Sequence, residues 1–200
     1  MALSTLILLP VIAALILGFL PESRRELVRN VALVFALMVF AYSVGMYFQF
    51  DPSTPRLQFV ENRSWIDAIG ARYHLGVDGV SIFLVLLTTL LTPVAILASY
   101  AAIGERVRMF NAMLLLLEAG TLGVFLAQDL VLFYVFWEVM LVPMYFIIGI
   151  WGSSERLKAT FVFVLYTMAG SVLMLVAIVA LAIVNAQNVA GALSAPGAYM

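Results

Sequence analysis

Two carboxylates stand where charge is expensive. Glu118 and Glu138 each fall inside a run of apolar residues long enough to cross a bilayer. An ionised side chain at the centre of such a helix costs roughly 2.5–3.5 kcal/mol on insertion scales. Thirteen Leu, Ile, Val or Phe residues between Leu130 and Ile150 offset that cost for Glu138. Insertion therefore tolerates this acid without requiring it. A glutamate removed from water titrates far above its solution range, so each is a candidate to load and release a proton on an ion pathway. The plainer alternative is a neutral carboxyl donating a hydrogen bond between helices.

At 100° per residue, Tyr134, Glu138 and Tyr145 share one face of their helix. Asn111 and Glu118 share a face of the preceding one, and Thr160, Thr167 and Ser171 a face of the next. Three polar stripes on consecutive spans are expected to face one another or further helices, around hydrated or hydrogen-bonded space. Hydroxyls bonding a neighbouring backbone would give the same pattern. Pro143 withholds the hydrogen bond owed to the carbonyl of Val139, so a loosened or broken turn is expected beside Glu138. Pro93 and Pro10 do the same for Thr89 and Leu6.

The elements that must carry these residues follow from composition. Of 200 residues, 65% are hydrophobic and 10% charged, against roughly 25% charged in soluble domains. Mean hydropathy is +1.13. This is a membrane protein. Six spans are expected: Leu3–Leu20, Val31–Phe50, Val80–Ile103, Met109–Gln128, Leu130–Trp151 and Ala159–Asn185. The first is retained rather than cleaved, because it lacks a basic leader and Leu20-Pro21-Glu22 is a poor cleavage site.

Seven of the ten Lys and Arg residues lie in three alternate connections. These are Arg24, Arg25 and Arg29; Arg106 and Arg108; Arg156 and Lys158. The positive-inside rule makes that side cytoplasmic and the N-terminus outward. The long outer connection, residues 51–79, mixes Arg56, Arg63 and Arg72 with Asp51, Glu61, Asp67 and Asp78. Its start is irregular at Pro52 and Pro55, and Arg56–Trp65 can form a short β-ribbon. Asp78 suits a helix N-cap. His74 suits a hydrogen-bonding role in a loop.

Much chemistry is excluded. There is no cysteine and a single histidine, so disulfides, thiolate catalysis, iron–sulfur ligation and His-rich metal sites are absent. A net charge of −1 offers no field for nucleic acid. No GxGxxG motif is present to hold a dinucleotide.

Three strings are distinctive: YHLGVDGVSIFLVLLTTLLTPVAILASY from Tyr73, EAGTLGVFLAQDLVLFYVFWEVMLVPMYFIIGIWG from Glu118, and LYTMAGSVLML from Leu165. In sequence and order they resemble the subunit M (subunit four) family of proton-pumping NADH:quinone oxidoreductase, respiratory complex I. The related L and N subunits and Mrp-type cation/proton antiporters match them less closely. The resemblance implies an all-α polytopic fold within an antiporter-like inverted-repeat bundle. Residues 1–108 would hold three helices with the outer loop, and 109–200 would begin the proton-translocating repeat.

It also implies that Glu138, after the FW pair, is the proton-channel acid, with Glu118, Tyr134, Thr167 and Ser171 as candidate lining. The family's channel acid works with a buried lysine two helices later. Lys158, the sole lysine here, suits the basic interface instead, and GALSAPGAYM suits an outer loop of an N-terminal part. The missing remainder of the subunit, other membrane-arm subunits and the lipid bilayer would then be partners. NADH, flavin, iron–sulfur clusters and quinone would belong to other chains of the complex, in a bacterial cytoplasmic membrane. An Mrp-type antiporter and a non-catalytic assembly scaffold remain as alternatives.

Overall fold

A computed structural model describes residues 2–194. Six helices and one β-ribbon follow in the order α1 (Ala2–Phe19), α2 (Arg25–Gln49), β1 (Gln58–Ile66), β2 (Ala71–Val77), α3 (Ser81–Ala102), α4 (Val107–Leu126), α5 (Leu130–Trp151) and α6 (Arg156–Ser194). All six helices are long and apolar enough to cross a membrane, the sixth through Arg156–Asn185. The protein is a multi-pass integral membrane protein.

Two helix boundaries depart from the hydropathy pattern for a physical reason. The second helix starts six residues early, because the polar turn from Arg25 is helical outside the apolar run. There Arg29 bonds Glu26 at 3.0 Å and gives two further hydrogen bonds, 2.9 and 2.8 Å, to the carbonyls of Tyr100 and Ile103 at the end of α3. Its guanidinium also lies 5.0 Å from the Tyr100 ring centre. One cation thus closes the C-terminus of a neighbouring helix. The sixth helix continues to Ser194, so the first four residues of the expected GALSAPGAYM loop are helical; the last six lie outside the described residues.

The outer connection is more ordered than its sequence suggests. β1 and β2 pair antiparallel, joined by a single 3-10 turn at Asp67–Ile69 and by Gly70, whose φ of +69° is left-handed. Glycine adopts that angle without the Cβ clash other residues meet. The expected ribbon at Arg56–Trp65 is thus its first strand only. His74, expected in a loop, is a β2 residue paired with Asn62, because strand periodicity is weak in so short a polar segment. Asp78 performs the expected capping role. It accepts from Val80 N at 3.0 Å and Ser81 N at 2.7 Å, and its own N–H bonds the Ser81 hydroxyl at 2.8 Å. The Ser81 amide bond leads the contacts that hold the Asp78 carboxyl below the usual aspartate range.

Two apolar clusters bind the helices. One, nearer the ribbon, joins Leu3, Leu6, Val39, Ile82 and Leu122 to Leu75 and Val77 of β2. The other joins Ala13, Leu17, Ala32, Ile96 and Leu115 at the opposite end. The three basic connections meet on that second face. Arg108 reaches the carbonyl of Leu20 at 3.0 Å, and Trp151 donates to the carbonyl of Glu105 at 2.9 Å. The ribbon, the start of α1 and the α4–α5 turn share the other face. The alternation inferred from charge is therefore present in three dimensions.

Candidate functional site

α5 begins at Asp129, whose Oδ1 accepts from Val131 N (2.9 Å) and Leu132 N (3.1 Å). A carboxylate at this position satisfies amides that have no partner within the helix and suits the positive end of its dipole. The Oδ2 atom accepts from Arg72 N at 3.2 Å. β2 also binds the preceding residues. Gln128 N donates to His74 O at 2.8 Å, and Leu75 bridges Ala127. The ribbon thereby fixes the start of the helix that carries Glu138.

Eight residues separate Glu138 from Leu130, the first of α5, and eight separate Glu118 from Leu126, the last of α4. At 1.5 Å per residue both acids lie about 12 Å below the ribbon face. They share a depth but not a space.

Glu138 lines a 230 Å³ cavity between α5 and α6 with Leu141, Val142, Tyr145, Val164, Thr167 and Met168. Its Oε1 is buried without a hydrogen-bond partner. Tyr134 stands close enough for Glu138 and Ser171 to act on its hydroxyl. Thr167 donates back to the Phe163 carbonyl at 2.7 Å, and buried Ser171 to that of Met168 at 3.1 Å. Thr160 packs against Gly149. The polar stripes of α5 and α6 therefore meet as expected.

The α4 stripe does not join them. Glu118 is 2% exposed and lines a separate 270 Å³ cavity against α3, with Thr88, Leu91, Thr92, Ala95, Leu114, Leu117 and Thr121. Both carboxylate oxygens are buried, and the Thr92 hydroxyl is the polar group that acts on them. Asn111 is buried two turns earlier on α4 and donates to the Val107 carbonyl at 2.8 Å. Helical phase alone places residues on a face; which neighbour that face meets depends on how the helices are arranged.

A close helix contact separates the two cavities. Gly120 and Gly123 bring α4 onto α5. A Cβ at Gly120 would lie 3.0 Å from Met140 Cβ, and one at Gly123 would lie 2.2 Å from Phe136 Cδ1. Small residues that let backbones approach are the usual currency of helix association in lipid. The pair has spacing three and was visible as EAGTLG, but nothing in one sequence says that this face is an interface.

Pro143 does not break the helix. α5 runs unbroken from Leu130 to Trp151, and Pro143 is buried in a 240 Å³ apolar cavity bounded by Ile7, Val11, Gly120 and Phe136. Its ring points to α1 and α4, away from the cavity of Glu138. The helix continues through the missing bond, as it does at buried Pro10 and Pro93.

Sequence reasoning overlooked Glu61 as a structural acid. From β1 it accepts from Leu3 N at 2.8 Å and Ser4 N at 3.2 Å, and from the Ser4 hydroxyl. The Ser4 hydroxyl also contacts the Tyr73 hydroxyl at 2.9 Å. Glu61 thus caps α1 from 57 residues away in sequence, a distance no local motif spans.

Residues 4–122 match the family model described as NADH-ubiquinone oxidoreductase chain 4, amino terminus. Residues 127–195 match the model described as NADH:quinone oxidoreductase/Mrp antiporter, TM. The chain is 48% identical over 184 residues to NADH-quinone oxidoreductase subunit M of Rhodobacter capsulatus, covering 90% of this chain and 35% of that protein. It is 44% identical over 177 residues to NADH-ubiquinone oxidoreductase chain 4 of Arabidopsis thaliana, covering 88% and 36%. In structure it resembles a chain of respiratory complex I from Thermus thermophilus with bound NADH, with a TM-score of 0.75 and 28% identity over 88% of this chain and 35% of that one. The chain spans little more than a third of the length of these relatives. Matching helices, matching fold and a family model covering most of the sequence agree: the chain belongs to the NADH-ubiquinone oxidoreductase chain 4 (subunit M) family.

Proposed function

We propose that this chain supplies part of a proton path in the membrane arm of an NADH:quinone oxidoreductase, with Glu138 as the acid that takes up and releases the proton. The observation that carries this reading is the Glu138 carboxyl: it lies at mid-helix, one oxygen buried and unpartnered, in a cavity lined by Thr167 and Tyr145. Such a group exchanges a proton with a few waters more readily than with bulk solvent. Tyr134 and Ser171 flank it, and their hydroxyls can carry a proton to or from the acid. Electron transfer, with its NADH, flavin, iron–sulfur clusters and quinone, belongs in this reading to other chains of the complex.

Membrane-arm subunits and the remaining length of the relatives are the proposed neighbours of the apolar faces of α5 and α6, where Val139, Val142, Leu165 and Tyr166 stand exposed. The basic face is assigned to the cytoplasm of a bacterium, which puts the N-terminus and the ribbon outside.

The test is Glu138→Gln in the assembled complex. The amide keeps size and polarity but carries no titratable proton. NADH-driven proton pumping should fall by about tenfold or more, as for loss of a positioned proton-transfer group, while the complex still assembles. Unchanged pumping in an assembled mutant overturns the reading. Sodium-driven proton exchange in vesicles without NADH would favour the antiporter alternative that the second family description includes.

A further inference from the structure

The helix starts of this protein are furnished unequally. At the ribbon face each receives a carboxylate: Glu61 at α1, Asp78 at α3 and Asp129 at α5. At the opposite, basic face α4 receives none. No side chain caps it at Arg106, and its first turn holds no acid. The leading amides of a helix have no acceptor within it and lie at the positive end of its dipole. Arg106 and Arg108 add two more positive charges at that end, where acids are the stabilising residues.

The two arginines differ in what they meet. Arg108 is engaged, reaching Leu20 O at 3.0 Å and Glu22 Oε2 at 3.8 Å. Arg106 is exposed, and its guanidinium has no hydrogen bond or ion pair among the described residues. Its backbone is left-handed, at φ +50° and ψ +40°, a conformation that a residue with a Cβ adopts at a cost.

Arg106 does not stand alone. With Glu105, Gly149, Ile150, Trp151 and Arg156 it lines a 210 Å³ cleft where the α3–α4 connection meets the end of α5 and the start of α6. Trp151 shapes the cleft: its Nε1 donates to Glu105 O at 2.9 Å, and its ring meets Phe110 edge-on at 5.2 Å. Arg156 donates from Nη1 to Ile150 O at 2.9 Å, which fixes its position and leaves its other N–H groups for a further acceptor. The lining thus includes two guanidiniums and one carboxylate. Glu155, next to Arg156, is paired with Lys158 at 3.5 Å. One positive charge in the cleft remains unmatched.

We propose that this cleft binds the phosphate of an anionic phospholipid from the leaflet at the basic face, held by Arg106 and Arg156 beside the uncapped start of α4. Phosphate oxygens accept from guanidinium forks and from helix-terminal amides alike. A phosphodiester brings the one negative charge that the lining lacks. Volume favours a lipid over a free small molecule. Sites that enclose a whole ligand measure about 300–1,000 Å³, whereas 210 Å³ admits a headgroup whose remainder stays outside. Position favours it too, because α5 ends here in Trp151, a residue type that marks the boundary between hydrocarbon and headgroups. Basic pockets between helices at that boundary suit phospholipid headgroups. Nothing in this site depends on Glu138 or on the proton path.

The test places a photoreactive benzoylphenylalanine at Ile150 in the complete assembly, reconstituted in discs of phosphatidylcholine with a minor fraction of phosphatidylglycerol. Mass spectrometry of the digested subunit identifies the adducts. Phosphatidylglycerol should be enriched about fivefold or more over its share of the bilayer, the selectivity expected from one basic residue at an anionic surface. Raised salt should reduce the enrichment. Arg106→Gly should return the adducts to the bulk proportion. Glycine accepts the left-handed backbone and serves as an N-cap, so the unfolding midpoint should equal or exceed the parent's; a lowered midpoint overturns the assignment of Arg106. Arg156→Gln should weaken the enrichment, and Arg24→Gln, on the same face but outside the cleft, should leave it unchanged. Adducts that follow bulk composition overturn the proposal, as does enrichment that survives Arg106→Gly combined with Arg156→Gln. An adduct to a peptide overturns it in favour of an acidic partner segment. Loss of enrichment on adding inorganic phosphate at constant ionic strength overturns it in favour of a free anion.

Discussion

Single carboxylates do three different jobs in this protein, and their surroundings decide which. Glu138 and Glu118 carry buried oxygens at mid-helix, beside the hydroxyls of Tyr134 and Thr92; Asp78 and Asp129 cap helices; Glu61 caps one from a distance. For Glu61, burial pushes the carboxyl up, but the Ser4 hydroxyl and the Ser4 and Leu3 amides outweigh it and hold the group below the usual glutamate range. A carboxyl whose pKa is depressed by folding stabilises the fold above its unfolded value, and that contribution disappears as pH falls through the folded value. The contact should therefore be intact at neutral pH and weaken below about pH 4. Hydrogen exchange at the Leu3 and Ser4 amides should accelerate in that range. In Glu61→Gln the exchange should be fast already at neutral pH, with a loss of about 1.5–3 kcal/mol in local stability, the worth of hydrogen bonds to a charged acceptor. The two membrane acids were legible in the sequence because charge in an apolar run is conspicuous. Glu61 was not, because its partners lie in another element.

Among the helix–helix contacts, the glycine contact between α4 and α5 tolerates little change. Gly123→Ala drives a methyl into the root of the Phe136 ring, and overpacking of this kind costs about 1–3 kcal/mol. The ring must move toward the apolar cavity it already lines. The unfolding midpoint of the protein in detergent should fall accordingly. Gly45→Ala in α2, where nothing lies within 4 Å of the added methyl, should be neutral or slightly stabilising through helix propensity. Hydropathy located all six helices because twenty apolar residues have few other fates. It could not find the second strand, the phase of the α4 stripe against its neighbours or the role of Pro143. Each of those depends on an interface, and an interface has no signature within one element.

At the scale of the whole molecule, alternating charge predicted which connections share a face, and the hydrogen bonds between those connections bear it out. What charge did not foretell is that the opposite face is built around the ribbon. Glu61 ties it to α1, and His74, Gly76 and Arg72 tie it to the turn before α5. Asp129→Ala removes both the cap of α5 and the bond to Arg72, and should cost about 0.5–2 kcal/mol. Amide exchange should rise at Arg72 as well as at Val131 and Leu132, which a cap acting on α5 alone would not produce.

The same arrangement sets an order of events during synthesis. The ribbon leaves the ribosome with its first partner, the start of α1, already made, but its second partner, Asp129, is still 57 residues away from Arg72. Two further helices must be threaded through the bilayer before the ribbon can close on that second partner. Until then it is held at one end and free at the other, so nascent chains arrested before α5 should be cut by added protease within residues 58–77 and chains arrested after it should resist. The final seating of this small extramembrane element thus reports that four helices have arrived and the fifth has begun.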